Sequence, residues 1–298
     1  IDRLKEALFA KMPEIEADRA ELLTESYKET ENLPIIERRA KAFSHILKNI
    51  PITIRDEELI VGSATKAPRG CQTFPEFSFE WLLGELDTVA TRTADPFYVS
   101  EDTKKRLREV YKYWSGKTTS DLATSFMADE TRLAMEHNIF TPNNYFYNGV
   151  GHVTVNYGEV LNIGLSGIKR KAEEALSKLD VSDADYAKRH AFLTAVTESL
   201  DAAVLYAKRY AVLAQDMAAA ETDPKRKAEL IKIARNCENV PENGATSFYE
   251  ACQSFWFIQM LLQTESSGHS ISPGRFDQYM YPFYKADLEA GRNTKEEM

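Results

Sequence analysis

Apolar positions in the first fifty residues recur at helical spacing. Ile15, Leu22 and Leu23 stand at i, i+7 and i+8 with Glu and Arg between them, which predicts one face of an amphipathic helix. Asn32-Leu33-Pro34 interrupts the pattern, and Pro34 suits the first turn of a second helix. That helix carries Ile36, Ala40, Phe43 and Leu47 on one face, and Pro51 ends it. Between 52 and 64 the apolar residues cluster around the polar turn Arg55-Asp56-Glu57-Glu58, and the run at 59–62 predicts a short buried strand. Residues 65–78, with Pro68, Gly70 and Pro75, read as loop. Helices are expected again near 79–87, 100–114 and 121–135, the last capped by Ser120 or Asp121.

Residues 139–157 break the pattern. They mix Asn, Tyr, Gly and His without a helical period, and Gly149 and Gly151 permit tight turns or close approach of another chain segment. Long helices follow at about 158–179 and 186–220, the second rich in Ala and Leu with periodic Tyr. Asp223-Pro224 is a cap followed by proline at the first helical position, opening a helix to about 236. Ser247 starts a segment, 248–262, that is apolar nearly all round and is expected to be deeply buried. A second irregular stretch follows, from Glu265-Ser266-Ser267-Gly268-His269-Ser270 to Arg275-Phe276-Asp277-Gln278-Tyr279. The aromatic residues at 276, 279, 281, 283 and 284 are expected to be mostly core, and Arg275 and Asp277 to form an ion pair at a helix start.

Composition narrows the class. In 298 residues, 43% are hydrophobic and 28% charged, the balance of a soluble globular chain with core enough for one or two domains. Lys and Arg number 37 against 46 Asp and Glu, a net charge of −9, which argues against general nucleic-acid binding. The apolar runs fall short of the roughly 20 residues needed to span a bilayer, and the charged start does not read as a signal peptide. Cys71, Cys237 and Cys252 are scattered and odd in number, which predicts neither a disulfide framework nor a zinc site and makes a reducing cytoplasm the expected location.

Candidate chemistry is confined to a few residues. His45 and His190 lie in charged helical patterns and read as surface residues; His137 is near a helix end, where a cation is favourable. His152 and His269 each follow a glycine at the edge of a loop, where catalytic groups are commonly displayed. The competing reading is two histidines satisfied by hydrogen bonds within the fold. HExxH, GxSxG and a full GxGxxG are absent, which leaves no motif for a zinc, serine-hydrolase or dinucleotide site. Cys252 reads as a buried inert thiol, Cys71 as a loop residue and Cys237 as following a helix.

Several of these segments resemble a known family. Asn144-Tyr145-Phe146-Tyr147-Asn148-Gly149-Val150-Gly151-His152, the stretch Glu265 to Pro282, and the opening Leu33-Pro34, Arg38-Arg39-Ala40 and His45-Ile46-Leu47 are similar to glycyl radical enzymes of the pyruvate formate-lyase-like kind. The Gly-His and Gly-His-Ser pair resembles, within that family, the cobalamin-independent glycerol or propane-1,2-diol dehydratases. The resemblance implies a ten-stranded α/β barrel wrapped in helices. Residues 1–298 would be the N-terminal part, mainly α with few strands, and 59–62 a candidate barrel strand.

The resemblance also implies roles. His152 would be the catalytic histidine at the leaving hydroxyl, and Asn144, His269 and Ser270 would bind the substrate. The reaction would be radical dehydration of a diol to an aldehyde. Its glycyl radical, installed by a radical S-adenosylmethionine activating enzyme, would reside in a C-terminal part not found in this sequence. Expected partners are a small diol, the activating enzyme and a second copy in a homodimer, with no metal, nucleic acid or membrane. Departures are clear. A Cys-Val-Glu-Pro-like motif and an Arg-Val-Ala-Gly-Tyr-like loop are both missing, so the chain is expected to be one portion of a longer enzyme. The alternatives are another glycyl radical lyase (choline, hydroxyproline or sulfonate), a formate acetyltransferase-like enzyme, and a helical scaffold whose Gly-His segments are structural.

Overall fold

The computed structural model describes residues 2–142, 146–149 and 151–298. It is mainly helical. A short helix α1 (Asp2–Phe9) precedes strand β1 (Glu14–Glu16), then α2 (Asp18–Glu29), α3 (Ile35–Asn49) and strand β2 (Gly70–Gln72). Helices α4 (Glu80–Glu85), α5 (Glu101–Trp114), α6 (Thr119–Ser125) and α7 (Asp129–Glu136) follow. The second half contains α8 (Tyr157–Ser177), α9 (Tyr186–Ala220), α10 (Pro224–Asn239), α11 (Phe248–Ser266) and α12 (Phe276–Glu289). Strands β1 and β2 pair in parallel, with Glu14 opposite Gly70 and Glu16 opposite Gln72.

Helix α9 organises the core. Ala202, Ala203, Ala207, Ala211, Ala214 and Ala218 are buried along it with Tyr206 and Tyr210. Small side chains at helical spacing let neighbouring helices approach closely, and α3, α8 and α10 all pack on α9. The helix starts follow local chemistry. Ser100 caps α5, Asn156 caps α8, Asp223 caps α10 ahead of Pro224, and Ser247 caps α11.

Several expectations are corrected. Ile15 lies in β1 rather than on the helix that carries Leu22 and Leu23, because Pro13 and Ala17 flank a segment paired to β2 and to Tyr98. The predicted strand at 59–62 is irregular backbone. Side chains rather than a neighbouring strand satisfy its polar groups: the Gln253 amide accepts from Val61 N and donates to Val61 O, and Trp256 Nε1 donates to Gly62 O. The adjoining Ser63 exchanges bonds with the hydroxyls of Tyr210 and Tyr206. The helix expected at 121–135 is two helices, and neither Ser120 nor Asp121 is its N-cap. Thr118 caps α6 in a capping box with Asp121 at the third position.

Helix α12 is less buried than its aromatic content suggests. Met280 packs against Leu161 and Ala251, with Tyr279 and Phe283 at the edge, while Phe276 and Tyr281 are exposed. Only one side of this helix meets the rest of the described residues. Arg275 and Asp277 do form their ion pair, and it is solvent-exposed. Helix α11 is buried through Ala251, Gln253, Ser254, Phe257, Met260, Leu261 and Thr264, whereas Trp256 is exposed.

Candidate active site

Residues 151–154 run beside residues 269–272. His152 N donates to His269 O at 2.9 Å and Ser272 N donates to Val153 O at 3.0 Å, with Thr154 and Ser272 bridged in parallel. Glycine makes this approach feasible. A Cβ on Gly151 would stand 1.9 Å from His269 O, and one on Gly149 would stand 2.0 Å from Ser266 O. These two positions, conspicuous in the sequence, are where two backbones touch.

The side chains complete the contact. His152 Nε2 lies 3.1 Å from His269 Nε2, across 117 positions of sequence. The rings meet edge to face, their centroids 4.8 Å apart and their planes at 83°. In such a contact one ring donates its N–H and the other accepts. The pair can therefore hold a proton between two imidazoles and deliver it to a hydroxyl placed against them. His152 adopts φ 56°, and Ser267 and Ser270 adopt φ 45° and φ 59°. Non-glycine residues in this left-handed region carry about 1–3 kcal/mol of backbone strain each, a concentration typical of functional loops. His152 and Ser270 are exposed and His269 is partly buried. Asn144 lies outside the described residues.

The loop that carries His269 begins at the end of α11, where a charge network converges. Arg19 from α2, fully buried, donates through Nε to Thr264 O at 2.6 Å and through Nη2 to Glu265 O at 3.1 Å. Arg39 from α3 donates through Nη2 to Glu265 O at 2.9 Å and pairs with the Glu265 carboxylate. Glu76 accepts from both guanidiniums, at 2.7 Å from Arg19 and 3.2 Å from Arg39. Phe74 lies under the Arg19 guanidinium, 3.8 Å from ring centroid to Cζ. Burial alone would raise the Glu76 carboxyl, but Arg19 and Arg39 outweigh it and hold it below the ordinary value. At Glu265 burial prevails over Arg39 and the carboxyl is raised. At the far end of the loop, Gln259 Nε2 donates to Ile271 O at 2.9 Å, and the Tyr157 hydroxyl donates to Gln259 Oε1 at 2.6 Å. Burial pushes Tyr157 up to about 12, so its hydroxyl stays a donor at neutral pH.

A family model for pyruvate formate lyase-like proteins matches residues 1–298.

The chain belongs to the pyruvate formate lyase-like family.

Within this family it is 64% identical, with a TM-score of 0.97, to a chain solved for 1,2-propanediol dehydration in Roseburia inulinivorans; 99% of this chain and 35% of that one are covered. It is 55% identical, with a TM-score of 0.92, to the B12-independent glycerol dehydratase of Clostridium butyricum, solved with glycerol bound, over 95% of this chain and 36% of that one. It is 37% identical to the (2S)-3-sulfopropanediol dehydratase of Klebsiella oxytoca, over 99% of this chain and 36% of the relative. The chain thus spans about a third of the length of the relatives it matches.

Other features of this pyruvate formate lyase-like chain bear on the site. A cavity of about 530 Å³ is lined by Cys71, Thr73, Phe74, Tyr147, Asn148 and Ser267, flanking both histidine segments without including either histidine. A larger one of about 820 Å³, between Pro34, Ile36, Leu179 and Phe192, is mainly apolar and lies on another part of the surface. No histidine among the described residues lines the larger cavity. Cys237 is inside α10 and buried, and Cys71 is in β2 rather than in a loop. Burial raises all three thiols, Cys252 to about 11, with Glu16 adding to the effect at Cys71. Among the described residues, no group of three or more His, Cys, Asp and Glu could hold a metal ion, and no helix is long and apolar enough to cross a membrane. The sequence reading named Glu265 but missed Arg19, Arg39 and Glu76 as a supporting cluster; only the Arg38-Arg39 pair beside an apolar helix face signalled it.

Proposed function

We propose that residues 1–298 form the N-terminal part of a glycyl radical dehydratase that converts glycerol or propane-1,2-diol to an aldehyde and water. The observation that carries this reading is the 3.1 Å contact between His152 and His269. Loss of a hydroxyl as water needs a proton delivered to a poor leaving group, and a positioned imidazole is a general acid suited to that delivery. In this reading His152 donates to the departing C2 hydroxyl. His269 and the Ser270 hydroxyl orient the diol, and Asn144 adds an amide contact. The similarity to the propanediol and glycerol proteins supports a small diol over other substrates of the family.

The glycyl radical of such an enzyme supplies hydrogen-atom abstraction from the substrate. None of Cys71, Cys237 and Cys252 stands in the thiyl motif of these enzymes, so the role of residues 1–298 in this reading is to bind the diol and supply the proton. A radical S-adenosylmethionine activating enzyme, a homodimer and a cytoplasmic location accompany the proposal, supported by the resemblance of the motifs. A sulfonated diol is the rival substrate, favoured by the similarity to the Klebsiella oxytoca dehydratase.

The test uses the full-length protein, activated anaerobically. His152→Ala should reduce aldehyde formation by about 10²–10⁴-fold while the radical signal in electron paramagnetic resonance stays at the wild-type level. Turnover of glycerol and propane-1,2-diol equal to wild type would remove His152 from this role. Sulfopropanediol consumed faster than both diols would favour the rival.

A further inference from the structure

We infer that Arg19 and Arg39 on one side, and Gln259 on the other, are positioning residues for His269. The inference rests on the diol dehydratase reading for its catalytic consequence, but its geometric content stands apart from it.

A helix ends with carbonyls that have no intrahelical partner and with a partial negative charge. At the end of α11 two of these carbonyls, Thr264 O and Glu265 O, are taken by guanidiniums from two other helices. Planar guanidinium forks fix direction as well as distance. Ser267 N closes the turn on Gln263 O, and Ser267 itself is left-handed at φ 45°. His269 is then three residues beyond Ser266, the last residue of α11. Two residues beyond it, Gln259 holds Ile271 O at 2.9 Å. Ile271 is also buried. The span 266–271 is thereby clamped at both ends, and the residue between the clamps is the one that meets His152.

Capping these carbonyls also stabilises the end of α11, so positioning is separated from stability only by a readout at His269 itself. Glu76 already neutralises Arg19 by a two-oxygen contact, at 2.7 and 3.2 Å. Yet both arginines reach past Glu76 to the backbone from which the histidine loop departs. Displacement of the helix end by a fraction of an ångström would be passed to the His269 ring, because Gly151 leaves no slack between His269 O and the facing segment.

The experiment compares Arg39→Lys, Gln259→Met and, as a destabilised control remote from the site, Ala211→Leu, all in the full-length protein. Lys keeps the charge at 39 but cannot span Glu76, the Glu265 carboxylate and Glu265 O together. Two quantities are read: diol turnover after anaerobic activation, and the rate of diethyl pyrocarbonate modification of individual histidines, resolved by mass spectrometry without activation. Arg39→Lys and Gln259→Met should each lower kcat/KM by about tenfold or more and speed modification of His269 several-fold, with His190 unchanged. Ala211→Leu should move neither at a temperature where it is folded. Unchanged His269 modification in a folded Arg39→Lys protein overturns the inference. If Arg39→Lys does not fold, Gln259→Met decides on the same two readouts. A wild-type protein that dehydrates no diol would sink the functional reading, while the modification rates would still decide the positioning of His269.

Discussion

Replacing Gly151 by Ala tests whether the histidine pair depends on backbone contact. The new Cβ would lie 1.9 Å from His269 O, 2.8 Å from His269 N and 2.9 Å from His269 C. All three are backbone atoms, so no side chain can swing away. Ordinary contact begins near 3.4 Å, so the facing segment must retreat by about 1.5 Å. That retreat breaks the 2.9 Å bond from His152 N to His269 O. Loss of one such bond costs about 0.5–1.5 kcal/mol, and overpacking a tight contact costs about 1–3 kcal/mol. Together they predict a destabilisation of about 1.5–4.5 kcal/mol. The same movement takes the ring nitrogens, now 3.1 Å apart, out of hydrogen-bonding range. In the dehydratase proposed above, a misplacement of that size is expected to lower diol turnover about a hundredfold. Urea unfolding of the full-length protein measures the first effect and anaerobic turnover after activation the second. A Gly151→Ala protein with wild-type stability and wild-type turnover would refute the argument that glycine is required for this approach.

Other substitutions probe the scaffold. Thr118→Ala removes the capping box of α6 and should cost about 1 kcal/mol in urea unfolding. Ala211→Leu forces a larger side chain into the fully buried stripe of α9 and should lower stability by about 1–3 kcal/mol, measured in the same way. Glu76→Gln leaves Arg19 buried without its counter-charge and should cost about 3–5 kcal/mol at neutral pH. Because the Glu76 carboxyl is held below its ordinary value of 4.5 when folded, its contribution is complete above that pH. It is lost as pH falls through the lowered folded value. Glu265, which is raised, acts in the opposite sense. The difference between wild type and Glu76→Gln should therefore shrink on acidification below about pH 4.5; a difference independent of pH would contradict the ion-pair argument.

Much of the helical framework was legible in the sequence. Caps at Ser247 and Asp223-Pro224, the break at Asn32-Leu33-Pro34 and the Ala-rich run of α9 each act within a few residues, so periodicity and local chemistry suffice to place them. The Gly-His segments were conspicuous for the same reason, since unusual local composition marks unusual backbone. Where reading failed, distant side chains had replaced local partners. Residues 59–62 look like a strand by hydrophobicity, but their polar groups are bound by Gln253 and Trp256. The aromatic residues of α12 look like core, but only one face of that helix is covered.

The sequence by itself singled out two histidines following glycines as candidates for acid–base chemistry, in a chain whose cysteines lack an activating context. Only the tertiary structure decided that His152 and His269 face each other at 3.1 Å, and that the end of α11 is held by Arg19 and Arg39 from helices more than 200 positions away. The physical reason is range. Caps and turns are local events written in adjacent residues. A contact between remote segments depends on how helices pack, and no short stretch of sequence encodes that packing.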